Sequence, residues 1–166
     1  PQELLLPVAG PVTSGYGFRD NPVNGADDFH AGVDIAAAEG TPVAAAQSGQ
    51  VVRTGYNRLR GYYIIIRHEG SVQTLYQHLS YIFVRGGETV TQGQTVAAVG
   101  STGLVTGPHL HLEVREGAAQ RPLNVLARGF LKVPDTIPPV VKKLYYVSVD
   151  TVQGIPLHTV RLSLPV

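Results

Sequence analysis

Short runs of β-branched and aromatic residues, set off by glycine or polar turn residues, constrain this chain more than any other feature. They fall at Thr41–Ala46, Gln50–Thr54, Tyr62–Arg67, Val72–Tyr76, Thr95–Val99 and His109–Arg115. Residues of this kind suit a pleated, half-buried surface. Gly40, Gly49, Gly61, Gly70, Gly86-Gly87, Gly93, Gly100 and Gly103 punctuate the runs, as turns require. No segment keeps the 3.6-residue apolar period of a long helix. Leu123 to Arg128, after Pro122, can supply about one helical turn. The expected fold is mainly β, an antiparallel sheet core with loops that carry function.

With 166 residues, 43% of them hydrophobic, the chain can bury the core of one domain, or of one domain plus a fragment. Its character shifts near Lys132. All three lysines, Lys132, Lys142 and Lys143, lie there or later, and Pro134, Pro138 and Pro139 make a stiff connector. Leu144–Val149 and Thr159–Leu164 alternate like two strands around Gln153-Gly154. A lone hairpin is marginal in water. Residues 132–166 are therefore expected to be a linker and hairpin that begin a separate β-domain, here cut short, behind a main domain over residues 1–131.

The formal charge of +1, from 13 basic and 12 acidic residues, argues against nucleic acid or an anionic membrane as the main partner. The absence of cysteine excludes disulfides and thiolate chemistry. No stretch approaches the ~18 apolar residues of a membrane span. With no methionine even at its start, the chain reads as a processed or cut product, any signal peptide lying outside it.

Two clusters carry the chemistry: His30-Ala-Gly-Val-Asp34 and His109-Leu-His111. Zinc takes nitrogen and oxygen donors, and its catalytic sites use three protein ligands with a fourth place for water. A His/Asp/His triplet meets that count, and His78 in Tyr76-Gln-His-Leu79 is a further candidate. In a strand, residues i and i+2 share a face, so His109, His111 and Glu113 project together, away from Leu110 and Leu112. Such a pair of imidazoles offers one metal ligand and one neighbour able to handle protons. Glu113 is placed to fix a ligand tautomer from behind, or to be a solvated strand carboxylate. Gly32, Val33 and Ile35 disfavour a helix through His30 and Asp34 and point to a bent loop entering a strand. Either motif alone is a weak signal.

In combination the motifs are far more specific. Thr13-Ser-Gly-Tyr-Gly-Phe-Arg19, Phe29-His-Ala-Gly-Val-Asp-Ile35, Thr41-Pro-Val43, Leu75-Tyr-Gln-His-Leu79, Gly93-Gln94, Gly100-Ser-Thr-Gly103 and Thr106-Gly-Pro-His-Leu-His-Leu-Glu113 follow one another in fixed order. Over roughly residues 8 to 126 this set closely resembles the lysostaphin/LytM-type zinc metallopeptidases, which cleave peptide bonds in bacterial peptidoglycan. The resemblance implies that His30, Asp34 and His111 bind Zn²⁺ and that His78 and His109 are the non-ligand histidines of the catalytic centre. One of these two would take a water proton and later pass one to the leaving amine, while the other stabilises the oxyanion. His109 is assigned as the base because it sits beside His111. The resemblance further implies a groove walled by residues 20–29, 56–61, 79–86 and 101–108, peptidoglycan peptides as the partner, and a place outside the cytoplasm. Arg60-Gly-Tyr-Tyr63 departs from the family pattern at a groove wall, not at the metal.

Other residues carry blander readings. His68, between Arg67 and Glu69, is expected at a solvated strand end, and His158 lies in the tail. Arg19 either grips a substrate carboxylate or braces its own turn. Tyr16, Asn21 and Tyr62 are weak candidates for groove lining, since tyrosines on β-proteins usually pack half-buried. Ser101 has no base at a recognisable spacing. Some relatives with this domain have lost zinc ligands and regulate other wall hydrolases, but all five site positions are present here. A regulatory protein, or a neighbouring segment acting as an autoinhibitor, remains compatible with a complete site. A biotinyl/lipoyl carrier, echoed by Ser48–Val52 and Gly87–Gln94, needs a modifiable lysine, and there is none before Lys132. A wall-binding module without chemistry needs aromatic platforms, and with no Trp and only 7% aromatic residues that reading has little support.

Overall fold

A computed structural model describes residues 3–127. The expectation of a linker and hairpin over 132–166 lies outside the described residues. Within them the chain is nearly all β: β1 (Val12–Ser14), β2 (Gly17–Asp20), β3 (Asp27–His30), β4 (Val33–Ala36), β5 (Pro42–Ala44), β6 (Gly49–Asn57), β7 (Gly61–Arg67), β8 (Val72–Ile82), β9 (Thr89–Val90), β10 (Thr95–Val99), β11 (His109–Glu116) and β12 (Arg121–Pro122). A single 3₁₀ turn, Glu69–Ser71, joins β7 to β8. No helix among the described residues is long and apolar enough to cross a membrane.

The main sheet runs in the order β1-β4-β11-β8-β7-β6-β9, with β10 paired to β5 and β8 and β12 paired to β11. These strand pairs are antiparallel. β2 and β3 form a separate two-stranded sheet. The sheet is built on period-2 alternation. Leu110, Leu112 and Val114 of β11 turn one way into the core with Val33, Ile35, Ile64, Ile66, Tyr76 and Leu79. Burying each such aliphatic side chain contributes about 1.5–3 kcal/mol. His109, His111 and Glu113 turn the other way, as the strand reading requires.

Two features of this packing position the site. β11 lies between β4 and β8, with Asp34 directly opposite His111 on one side and Gln77 opposite it on the other. The turn from β3 to β4 is pressed against β11 at Gly32, where an added Cβ would stand 2.3 Å from the Leu112 carbonyl oxygen. Only glycine fits so close an approach. Of the helical turn expected over Leu123 to Arg128, the described residues 123–127 form no helix. Instead the Asn124 side chain captures the Ala127 N–H at 3.1 Å, and Leu123 N–H returns to the Val114 carbonyl at 2.8 Å.

Candidate metal centre

Asp34 and His111 meet because they are a cross-strand pair. His30, the last residue of β3, reaches the same point through the Gly32 turn. Asp34 Oδ1 lies 2.8 Å from His111 Nδ1 and 3.1 Å from His30 Nε2. The two imidazole nitrogens are 2.9 Å apart, and all three residues are buried.

The outer contacts of the rings decide what these atoms present. His30 Nδ1–H donates to the Gly15 carbonyl at 2.7 Å, so the neutral ring turns a bare Nε2 inward. His111 directs Nε2 to Glu113 Oε1 at 3.4 Å, so its Nδ1 is bare. Arg19 Nη1 donates to Asp34 Oδ2 at 3.0 Å and also to Ser14 Oγ, which leaves Oδ1 facing the histidines. Three electron pairs therefore converge within hydrogen-bond distance, and only positive charge at their centre relieves the repulsion. Two imidazole nitrogens and one carboxylate oxygen are a donor set that suits zinc with an open fourth place. The trio could hold a metal ion.

The electrostatics express the same preference. Protons on the rings can stand in for that positive charge: burial alone would raise the Asp34 pKa, yet hydrogen bonds and charge from His111 and His30, once protonated, hold it well below the usual carboxylate range. Burial opposes charge on His111, but Asp34 and Glu113 push its pKa up. Glu113 is likewise depressed to about 2, because His111 and Arg115 outweigh its burial. Glu113 accepts from Gln77 Nε2 at 2.6 Å and from Arg115 Nε at 2.8 Å. It is thus a charged, buried partner behind His111, not a solvated carboxylate.

His78 and His109 stand beside this cluster. Their ring centroids are 5.0 Å apart, and His78 is 5.9 Å from His111. His109 Nδ1–H donates to the Gly107 carbonyl at 2.8 Å, and its Nε2 lies 3.7 Å from Asp34 Oδ1. His78 Nδ1–H donates to the Thr102 carbonyl at 2.9 Å. Burial, aided by His109 and His111, lowers the His78 pKa to about 4, so at neutral pH its Nε2 is an acceptor.

All five sequence-derived residues therefore come together, and Asp34, His78, His109 and His111 line one groove of about 430 Å³. Two of the expected walls take part: Asp20 and Val23 on one side, Leu104 and Thr106 on the other. Residues 56–61 and 79–86 do not line it. Neither do Tyr16, whose hydroxyl donates to the Pro122 carbonyl, Tyr62, whose ring packs on Tyr56, or Asn21, which bonds Asp28 and Val23 within its own loop.

His68 corrects the expectation of a solvated strand end. It is only 6% exposed and lies between the Ser48 carbonyl (2.9 Å) and Thr74 Oγ1 (2.8 Å). Gln77 and Arg115 were not singled out from the sequence. Arg115 shares the face of Glu113 two residues on, and that spacing was the available signal.

The profile of peptidase family M23 matches residues 28–124, the stretch that holds every residue of this cluster. The chain belongs to peptidase family M23. It is 47% identical over 95 residues to the peptidoglycan DD-endopeptidase ShyC of Vibrio cholerae, covering 57% of this chain and 22% of that protein. A zinc-containing peptidase from Vibrio cholerae shares the fold with TM-score 0.67 and 36% identity, over 75% of this chain and 40% of the other. The catalytic domain of lysostaphin from Staphylococcus simulans superposes with TM-score 0.65 and 32% identity, over 72% and 91% of the two chains. The chain thus spans about a quarter of the full-length ShyC and most of an isolated catalytic domain.

Proposed function

We propose that this chain carries the catalytic domain of a zinc-dependent endopeptidase that hydrolyses peptide bonds in the stem peptides or cross-links of bacterial peptidoglycan, outside the cytoplasm. The observation that carries this reading is the convergence of three inward electron pairs, from His30, Asp34 and His111, beside two further imidazoles on one groove. The likenesses to a DD-endopeptidase and to lysostaphin supply the substrate class.

A zinc ion held by that trio supplies Lewis acidity toward a carbonyl and acidifies water toward pKa ~7. The chain's own groups do the rest. Arg19 fixes Asp34 so that one oxygen faces the ligand histidines. Glu113 holds His111 in the tautomer that bares Nδ1. His109, with Nδ1–H committed to Gly107, can only accept at Nε2, which suits it to take a proton from water and return it to the leaving amine. Acid–base assistance of this kind is typically worth 10²–10⁴-fold. His78 is likewise an acceptor while neutral, so it can stabilise an oxyanion only after taking up a proton. The groove between residues 20–23 and 104–106 leaves room for an extended peptide.

The test is digestion of purified sacculi, with mass spectrometry of the released fragments, by zinc-loaded protein with and without a chelator. Chelator-sensitive peptide cleavage is expected, with His109→Ala and His78→Ala each losing most activity while retaining zinc. Full activity in the presence of the chelator would remove the metal from the reaction. Zinc binding without any cleavage would place the chain with the non-catalytic regulators of this family.

A further inference from the structure

Thr102 lies where three segments meet beside His78. Its hydroxyl donates to the Leu79 carbonyl at 2.6 Å and accepts from Tyr62 N–H at 3.0 Å. Its own carbonyl accepts His78 Nδ1–H at 2.9 Å. Neighbouring bonds stitch the same junction, with His78 N–H to the Arg60 carbonyl at 2.8 Å and Leu104 N–H to the Leu59 carbonyl at 3.1 Å.

The junction has no slack. An added Cβ on Gly61 would stand 2.1 Å from Thr102 Oγ1 and 2.4 Å from its carbonyl, and one on Gly103 would stand 2.3 Å from Gly61 N. Both glycines have left-handed backbones, with φ of 62° and 85°. So does His78, at φ 63°, a conformation few non-glycine residues adopt. The cause is local. β8 pairs with β11 up to Gln77 and with β10 from Leu79, so His78 is the residue at which the strand changes partners. On its other edge the β7 register also shifts at this point, between Tyr62 and Ile64, so no regular pair fixes His78, and its ring is oriented by its bond to the Thr102 carbonyl.

We propose that Thr102 is a positioning residue for His78. Its hydroxyl ties residues 101–104 to β7 and β8, and this holds its carbonyl where it fixes the His78 ring as the Nδ1–H tautomer with a bare Nε2 turned to the groove. The inference rests on the peptidase reading for its catalytic consequence, but the tautomer can be read without any turnover. Thr102 touches neither the ligand trio nor the groove.

The experiment pairs kinetics with ring nitrogen NMR on protein carrying ¹⁵N-histidine. In the wild type, His78 should show a protonated Nδ1 and a bare Nε2. Thr102→Val removes the hydroxyl at nearly constant volume. It should shift His78 toward a tautomer mixture and lower kcat by roughly tenfold or more, with KM and zinc affinity within about twofold. Thr102→Ser should restore both. A wild-type His78 protonated at Nε2 overturns the proposal, as does a folded Thr102→Val variant with unchanged kcat. If Thr102→Val does not fold, the His78 tautomer in the wild type and in Thr102→Ser decides. If the wild type cuts no peptidoglycan, the peptidase reading fails, and the tautomer shift alone decides this one.

Discussion

Glu113→Gln should weaken zinc binding far more than its conservative shape suggests. The native carboxylate accepts from Gln77 Nε2 at 2.6 Å and His111 Nε2 at 3.4 Å through one oxygen. Through the other it accepts from Arg115 Nε at 2.8 Å and Arg115 Nη2 at 2.6 Å. Its pKa of about 2 keeps it ionised at neutral pH. An amide in its place must aim an NH₂ either at Arg115 or at Gln77 and His111, setting donor against donor. In both orientations His111 loses the charged acceptor that holds its proton on Nε2. Loss of such an outer partner typically costs 10–100-fold in metal affinity, which is about 1.4–2.8 kcal/mol. Donors stranded in a buried site should lower unfolding free energy by roughly 1–3 kcal/mol as well. Competition with a chromophoric chelator measures the first effect, and urea unfolding of the zinc-free protein measures the second. A variant that is destabilised yet binds zinc within about twofold of wild type would show that Glu113 serves the fold and not the metal ligand.

Three further outcomes follow from the packing. Tyr76→Phe should cost roughly 1–3 kcal/mol in urea unfolding, because the buried Tyr76 hydroxyl accepts Ala46 N–H at 2.8 Å and bonds Thr74 at 3.0 Å. Burial lowers the His68 pKa despite its bond to Ser48, so the folded protein takes a proton there less readily than the unfolded chain does. That contribution to stability should be whole above about pH 6.5 and lost as pH falls from there through the folded value. Urea titrations at about pH 7.5 and about pH 5 should show a larger drop for wild type than for His68→Gln, and equal drops would exclude His68 as the source. Gly32→Ala places a methyl 2.3 Å from the Leu112 carbonyl and should cost at least the roughly 1–3 kcal/mol of overpacking. Separation of β4 from β11 should weaken zinc binding along with the melting temperature, and a wild-type melt would contradict that geometry.

The strands that were legible are those whose signal is local. Thr95–Val99 coincides with β10, and Tyr62–Arg67 and His109–Arg115 each fall one residue short of β7 and β11, because a β-branched run and a period-2 face need no knowledge of a partner. β1 to β3 were hidden, being 3 or 4 residues each and too short to show a pattern of their own, whereas β4 was met as the strand that the His30–Asp34 loop enters. Within these four strands Arg19, His30 and Asp34 were flagged, by their motifs and not by their strands. The face shared by His109, His111 and Glu113 was readable from alternation. That Asp34 would stand opposite His111 was not, since register is set by the whole sheet. His68 misled because its neighbours Arg67 and Glu69 are charged, whereas its ring is held between the Ser48 carbonyl, in the bend before β6, and Thr74 of β8. Thr102 was legible only as part of the Gly100-Ser-Thr-Gly103 motif and an expected groove wall; its tie to His78 was not, because that runs through a backbone carbonyl and a hydroxyl that any loop threonine carries.

Anomalous diffraction at the zinc edge, from crystals of zinc-loaded protein, tests the metal assignment most directly. A single peak about 2.0–2.2 Å from His30 Nε2, Asp34 Oδ1 and His111 Nδ1, with His78 and His109 unbonded to it, is the expected result. A peak coordinated by other side chains, or none at full zinc loading, contradicts it.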